Sequence, residues 1–287
     1  MKNLGYYNGL CGPLEEMRVP MNDRVCWFGD GVYEATLSAN YIIFALDEHI
    51  NRFFNSAAML YMIPDFTKTQ LAELLKRLVQ QVDSPGQLVY WQLTRGTADR
   101  THAFPEHTAP NLWVMLRPLV MPNIHEKVKL ITVEDTRFLH CNIKTLNLLP
   151  NVMASEQAKQ AGCAEAVFHR GGRVTEGSHS NVHIFKNGVL RTAPADNLIL
   201  PGIARAHIIN HCKKLGIPVE EIPFTVEELL SADEVMVSSS STFCRSASHI
   251  NGQAAGGKAP APLRKLQDSL LAEFYEATSL CGTAGEE

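Results

Sequence analysis

Along residues 31–46 apolar and polar positions alternate loosely around a small-residue turn at Ser38-Ala39-Asn40, which predicts a hairpin. From Asp47 the period lengthens. Ile50, Phe53, Phe54, Ala57 and Ala58 recur every three or four residues and predict a helix. A second helix is predicted from Thr67, where Gln70 stands in capping-box position, through Leu71, Leu74, Leu75 and Leu78. Strand-like alternation returns over residues 87–93 and 111–116.

Pro118 and Pro122 disfavour continuing either a helix or a central strand, so residues 118–127 read as a linker. Beyond it come a strand over 128–133, a short apolar segment at 143–149, and a helix through Met153, Ala154, Gln157 and Ala158. Short strands follow, with Asn187-Gly188 marking a hairpin because both residues tolerate positive φ. After Pro201-Gly202 a helix is predicted to about Leu215, then a strand, a helix capped by Thr225 and Glu228, and a strand over 234–238. A hairpin at Asn251-Gly252 and a terminal helix complete the pattern. The mixture predicts an α+β or mixed α/β protein of two domains: a small N-terminal α/β domain (1–117), the linker (118–127) and a larger C-terminal domain (128–287).

Composition narrows the class of partner. The 287 residues are 45% hydrophobic and 20% charged, enough apolar material for a sizeable core. A net charge of −4 without a basic cluster argues against a nucleic-acid binder, so a small molecule is the expected partner. The seven cysteines (11, 26, 141, 163, 212, 244 and 281) are scattered and never spaced C-x-x-C, which suggests neither a disulfide framework nor a zinc site and points to a reducing compartment. No stretch reads as a signal or membrane segment, so a cytoplasmic protein without a membrane partner is expected.

Several segments carry groups suited to chemistry. Lys144 lies in the apolar, amide-bearing run 141–149; an amine buried there is a nucleophile, although a strand-edge lysine whose stem packs on apolar surface is commoner. Glu176, in Val174-Thr175-Glu176-Gly177, sits between a strand and a loop of small hydroxyl and amide residues, where it suits a ring N–H or is an incidental turn carboxylate. Leu200-Pro201-Gly202-Ile203-Ala204 feeds a helix start, a generic anion site. The run Ser238 to Ser241 offers hydroxyls that could bond a phosphate, and Arg52 on the first helix offers a guanidinium; loop polarity and a solvated helix face are the commoner explanations of such residues. In the loop 95–105, Arg100 and His102 stand two apart and can both donate to one carboxylate, or belong to a charged surface loop, while Arg95 at the strand end reads as structural.

Taken in order, Phe28-Gly29-Asp30-Gly31-Val32-Tyr33-Glu34, His49-Ile50-Asn51-Arg52, the loop 95–105, Ile143-Lys144-Thr145-Leu146-Asn147, Val174-Thr175-Glu176-Gly177 and Ile199-Leu200-Pro201-Gly202-Ile203 resemble the D-amino-acid aminotransferases. These belong to the pyridoxal-phosphate enzymes of fold type IV, with the branched-chain aminotransferases and aminodeoxychorismate lyase. The resemblance covers nearly the whole chain and implies a two-domain fold with the cofactor, pyridoxal 5′-phosphate, at the domain interface.

By that resemblance Lys144 forms a Schiff base with the cofactor, Glu176 pairs with its ring nitrogen and Leu200 packs against the ring. Arg52, the amides of Ile203 and Ala204, and the hydroxyls of Ser239 and Ser240 hold its phosphate. Tyr33, Arg100 and His102 bind the substrate α-carboxylate, the Arg100/His102 loop coming from the partner subunit of a homodimer. The implied reaction exchanges amino groups between D-amino acids such as D-alanine or D-glutamate and keto acids such as 2-oxoglutarate or pyruvate. The corresponding loop of the branched-chain enzymes lacks the Arg-x-His pair, which favours D-amino acids. A branched-chain L-amino-acid aminotransferase and an aminodeoxychorismate lyase are the alternatives within the fold, and a catalytically silent ligand-binding protein is the alternative outside it. Two positions depart from the pattern: His179 stands where a serine is more usual, and Arg245 adds a cation just past the serine run.

Overall fold

Local chemistry sets the element ends in the computed structural model, which describes residues 1–279. Cys281 lies outside the described residues. The chain divides into two units, Met1–Met121 together with the chain from Ala272 onward, and Pro122–Leu271.

The first unit contains β1 (Leu4–Tyr7), β2 (Leu10–Gly12), α1 (Arg24–Phe28), β3 (Gly31–Ala39), β4 (Ile42–Ile43), α2 (Leu46–Met59), α3 (Lys68–Val79), β5 (Gln87–Thr94) and β6 (Asn111–Pro118). Its six strands form an antiparallel sheet in the order β2-β1-β6-β5-β3-β4. The β3–β4 turn falls at Asn40-Tyr41, later than the pattern predicts, because Ser38 and Ala39 still pair with Ile43 and Ile42. Both turn residues have positive φ (50° and 62°), which asparagine tolerates better than the preceding alanine would. The predicted capping box opens α3: Gln70 N–H donates to Thr67 Oγ1 at 3.2 Å, and Thr67 N–H donates to Gln70 Oε1 at 2.7 Å.

Alternation along β3 gives the sheet two different faces. Glu34 lies opposite Trp91 on the face covered by α2, where the rings of Phe53 and His49 pack edge-on to Trp91 at 6.1 and 6.3 Å. Phe53 and Trp91 are fully buried, each contributing about 1.5–3 kcal/mol or more of apolar transfer energy. Tyr33 faces the other way and stacks on Tyr90 at 5.6 Å.

The second unit contains β7 (Val128–Glu134), α4 (Leu149–Gln160), β8 (Glu165–Arg170), β9 (Arg173–Gly177), β10 (Asn181–Lys186), β11 (Val189–Thr192), α5 (Ile203–Lys214), β12 (Val219–Glu221), α6 (Val226–Ser231), β13 (Glu234–Ser239), β14 (Phe243–Ile250) and β15 (Gln253–Ala254). Its nine strands run in the order β12-β11-β10-β13-β14-β7-β8-β9, with β15 added to β14. The pairs β7/β8, β7/β14 and β11/β12 are parallel. Strands β10 and β13 are buried on both faces, which is why they read as nearly continuous apolar runs. Ile184, Val235 and Val237 face a core with Phe224 and Leu229, while Phe185 and Met236 face one with Ile208, Ile209, Leu263 and Leu266.

Helix α7 (Pro260–Ala277) starts in the second unit and ends in the first, whereas the sequence pattern places everything from residue 128 in the second domain. Phe274 packs edge-on to Phe44 at 5.2 Å, and Asn40 Nδ2 donates to the Thr278 carbonyl at 3.0 Å. Helical periodicity alone does not say which core a helix face joins. No helix among the described residues is long and apolar enough to cross a membrane.

Candidate active site

In the second unit, Lys144 lies half-buried on the connection between β7 and α4, a segment that forms neither strand nor helix. Its neighbours Cys141, Ile143 and Thr145 are buried and anchor the connection. The Lys144 ammonium is close enough to Glu176 to favour that carboxylate's charged form.

Glu176 is itself buried near the end of β9 and is held on both oxygens. Oε2 accepts from the Leu200 N–H at 3.0 Å and from Asn181 Nδ2 at 3.1 Å, while Oε1 accepts from Arg137 Nη1. Burial pushes the Glu176 pKa above the usual carboxylate range, against the opposing pull of Arg137, the Leu200 amide and Lys144. Arg137 is locked from its other side: Nε and Nη2 donate to Asp135 at 2.9 and 2.8 Å, and its guanidinium lies 4.6 Å over the Phe168 ring. Burial would raise the Asp135 carboxyl, but Arg137 and Arg170 outweigh it and hold it at about 2. The result is a carboxylate of fixed direction whose charged form the Lys144 amine favours.

Asn181 ties this carboxylate to the remaining candidates. Its Nδ2 also donates to the Leu200 carbonyl at 3.0 Å, and in the β10/β13 register it lies opposite Ser238. A Cβ on Gly202 would collide with Asn181 Oδ1, so any side chain at the entry to α5 would force Asn181 to shift. No side chain caps this helix start, which leaves the first-turn amides, headed by Ile203 and Ala204, as donors. One strand away, Ser239 Oγ lies 2.8 Å from Thr242 Oγ1 and 3.2 Å from Ser241 Oγ, with Ser240 half-buried beside it. Arg245 turns away to Glu126, 3.3 Å from its carboxylate. His179 is more than half exposed, its Nδ1 3.2 Å from the buried Glu165 carboxylate.

In the first unit, Arg52 gives Nε and Nη2 to the Glu34 carboxylate, each at 2.7 Å, and His49 Nδ1 adds a third contact at 2.7 Å. Glu34 is fully buried. Burial alone would raise its pKa, but Arg52 and His49 outweigh it and hold it at about 2. A carboxyl lowered from 4.5 by folding contributes stability that is present above about pH 4.5 and lost as pH falls towards 2. Urea midpoints measured from neutral to acid pH are expected to fall through this window, and Glu34→Gln should flatten the fall; an unchanged slope in that variant would show that the pair is not its source.

Arg100 and His102 lie on the exposed loop after β5, both near one ring: the Arg100 guanidinium is 5.4 Å from the Phe28 centroid, and the His102 ring is 5.3 Å from it. Arg95 is structural here, donating twice to Asp30 and once to the Leu60 carbonyl and lying 3.7 Å over Phe104.

Thus in the second unit Glu176 holds the Leu200 amide within the influence of the Lys144 charge, and Asn181 connects to both the approach to α5 and the serine strand, while in the first Arg100 and His102 both lie near Phe28 and two nitrogens of Arg52 are committed to Glu34. Arg137, Asn181 and Glu34 emerge only in three dimensions. Their one sequence signal is a charged or amide residue within an otherwise buried segment, too common to single them out.

Residues 31–250 match the class IV amino-transferases, and the chain belongs to that family. Its relatives include D-alanine aminotransferases. That of Bacillus licheniformis is 39% identical over 274 residues, covering 93% of this chain and 97% of the relative. That of Staphylococcus aureus (strain MSSA476) is 39% identical over 279 residues, covering 96% and 99%. Among solved structures, the T.th. branched-chain amino acid aminotransferase complexed with N-(5′-phosphopyridoxyl)-L-glutamate is similar with a TM-score of 0.86 and 25% identity, covering 94% of each chain. The α+β architecture is accordingly that of the fold type IV aminotransferases.

Proposed function

We propose that this chain transfers amino groups between D-amino acids and α-keto acids with pyridoxal 5′-phosphate, using Lys144 as the attachment and proton-transfer residue. The observation that carries the reading is a buried carboxylate, Glu176, whose oxygens are fixed by Arg137, Asn181 and the Leu200 amide and whose charge is favoured by the half-buried amine of Lys144. The groups of the second unit suit the cofactor: Glu176 for a ring N–H, Lys144 for an aldehyde, and for a phosphate the Ile203 and Ala204 amides and the Ser239 and Ser240 hydroxyls, with Arg52 the further phosphate partner that the resemblance implies. Gly202 leaves the helix entry without a Cβ.

When bound, pyridoxal phosphate draws the electrons left by Cα–H cleavage into its ring. Glu176, as a carboxylate, would pair with the ring N–H of the bound cofactor, and a cationic N–H there would add to the charge compensation that Arg137 begins. Lys144 Nζ, the group that would hold the cofactor's aldehyde-derived carbon, would take the proton from the substrate Cα and deliver it on the same face to that carbon. Leu200 would pack against the ring. Tyr33, Arg100 and His102 hold the substrate α-carboxylate, and their placement relative to Lys144 decides which enantiomer presents its α-proton.

The Arg100/His102 loop is supplied by the partner subunit of a homodimer. Supporting an interface, α4 exposes Leu149, Val152 and Met153 at 70, 61 and 57%.

The test is a half-reaction screen in which single amino acids are added to the yellow enzyme. D-alanine and D-glutamate are expected to bleach it and L-leucine is not. The likeness to a branched-chain enzyme makes L-leucine the informative competitor, and faster bleaching by it would replace this reading. Pyruvate release from aminodeoxychorismate without an amino acceptor would instead identify a lyase. Arg100→Ala should raise the KM for D-alanine about 10- to 100-fold, the worth of a charge-assisted hydrogen bond, while cofactor binding is retained; an unchanged KM would remove Arg100 from the substrate site.

A further inference from the structure

The exposed loop that bears Arg100 and His102 is fastened by a buried arginine outside the groups assigned to cofactor or substrate. Arg24 is 2% exposed; its Nη1 donates to the Thr101 carbonyl at 2.8 Å and the Ala103 carbonyl at 3.4 Å, and its Nε donates to Asp30 at 2.8 Å. Thr101 lies between Arg100 and His102, so pinning its carbonyl fixes the Thr101–His102 peptide plane, which leads directly into His102 and begins one residue after Arg100. The Phe28 ring completes the support, with the Arg24 guanidinium 4.9 Å, the Arg100 guanidinium 5.4 Å and the His102 ring 5.3 Å from its centroid.

The base of this fastening is rigid. Arg24 opens the single-turn α1, which Asp23 caps through Val25 N–H at 2.9 Å and which Gly29 closes at φ 60°. Asp23 is fully buried, and its Oδ2 accepts from Thr94 Oγ1 at 2.9 Å and Asn111 Nδ2 at 2.8 Å, which nails α1 to the ends of β5 and β6. Arg24 N–H donates to the Gly96 carbonyl at 2.9 Å, and Ala98 N–H to the Asn22 carbonyl at 3.1 Å, so the loop root runs alongside. Asp30 Oδ2 also accepts from Arg95 Nε at 2.8 Å, and one carboxylate therefore orients both arginines under the loop.

We infer that Arg24 is a positioning residue for the substrate-carboxylate trap, holding the Thr101 and Ala103 carbonyls so that Arg100 and His102 present their donors as a pair. This rests on the reading of Arg100 and His102 as the carboxylate site. A displaced trap loses affinity for the carboxylate but leaves Lys144 and the cofactor untouched.

The test compares wild type, Arg24→Met and Arg24→Lys as pyridoxal-phosphate holoenzymes, with propanoate as a probe bearing a carboxylate and no amine. Arg24→Met is expected to raise both the KM for D-alanine and the inhibition constant of propanoate about tenfold, with kcat at saturating D-alanine within about twofold and the cofactor fully bound. Arg24→Lys retains the charge near Asp30 but loses the fork, and should shift both constants in the same direction by less. It also serves as the informative variant if Arg24→Met does not fold. Unchanged propanoate inhibition in either folded variant, or a fall in kcat and melting temperature without a change in that constant, overturns the inference and leaves a merely structural arginine. Failure of the wild type itself to turn over D-alanine would instead remove the substrate reading, and the inference with it.

Discussion

Lys144→Ala is expected to lower turnover of D-alanine by about 10⁴-fold or more, because in the proposed mechanism one amine serves both as attachment point and as general base. Borohydride should no longer fix the cofactor to the chain, although Glu176, the serine strand and the α5 amides are left in place to bind it. Residual binding without covalent fixation therefore separates loss of chemistry from loss of the site. The variant also tests the partner-supplied loop: mixed with Arg100→Ala under conditions of subunit exchange, it should regain activity, since one hybrid site carries an intact Lys144 and an intact Arg100. Full activity of Lys144→Ala alone would end the assignment, and the absence of complementation would place both residues on the same subunit's site.

Arg137→Met is expected to be the most destabilising of these substitutions in the second unit. The change strips the shared guanidinium from Asp135 and Glu176, which are 6% exposed each, and removing one partner of a buried ion pair costs about 3–5 kcal/mol. Asp135 retains Arg170 at 3.1 Å and Thr175 Oγ1 at 3.1 Å, so the larger consequence falls on Glu176, whose remaining donors are the neutral Leu200 amide and Asn181, with the Lys144 charge nearby. Burial, already the dominant influence on the Glu176 carboxyl, would then act with less opposition and push its pKa higher still. Denaturant unfolding should register the loss, and cofactor affinity should fall because a protonated Glu176 no longer opposes a cationic ring nitrogen. A loss below about 1 kcal/mol would mean that water or a neighbouring group replaces the guanidinium.

Neutralising Glu34 exposes a different kind of dependence. In the first unit the buried carboxylate directs Arg52 through two of its nitrogens, so the guanidinium's orientation is a property of the α2/β3 packing and not of α2 alone. The acid window expected from Glu34 and the KM shift expected from Arg100→Ala accordingly probe separate parts of the same unit: one its packed face, the other its exposed loop.

Much of the architecture follows from local rules acting on the sequence. Thr67 and Gln70, like Thr225 and Glu228, satisfy helix N-termini with atoms three residues apart, so both capping boxes are legible without any tertiary contact. Asn187-Gly188 and Asn251-Gly252 turn where predicted because their positive φ values (53° and 78°, 51° and 77°) are conformations those residues adopt readily. The β3–β4 turn slipped because a cluster of small residues marks a region, whereas strand pairing selects the residue. The same limit applies to residues 1–30, where short strands and the single-turn α1 give too little periodicity to register.

Lys144, Glu176, Arg100 and His102 were legible as candidates because each stands in a distinctive run of neighbours. Their candidacy belongs to the sequence, but the fixing of each depends on a distant partner: Arg137 reaches Glu176 across 39 residues, and Arg24 reaches Thr101 across 77. No local pattern encodes such pairings, because the energy that selects a buried ion pair arises only when folding removes both groups from water. The sequence by itself determined which elements form and which groups the chemistry can use. The tertiary structure decided which charges meet, that α7 ends with the first unit, and how the carboxylate of Glu176 and the loop of Arg100 are held in place.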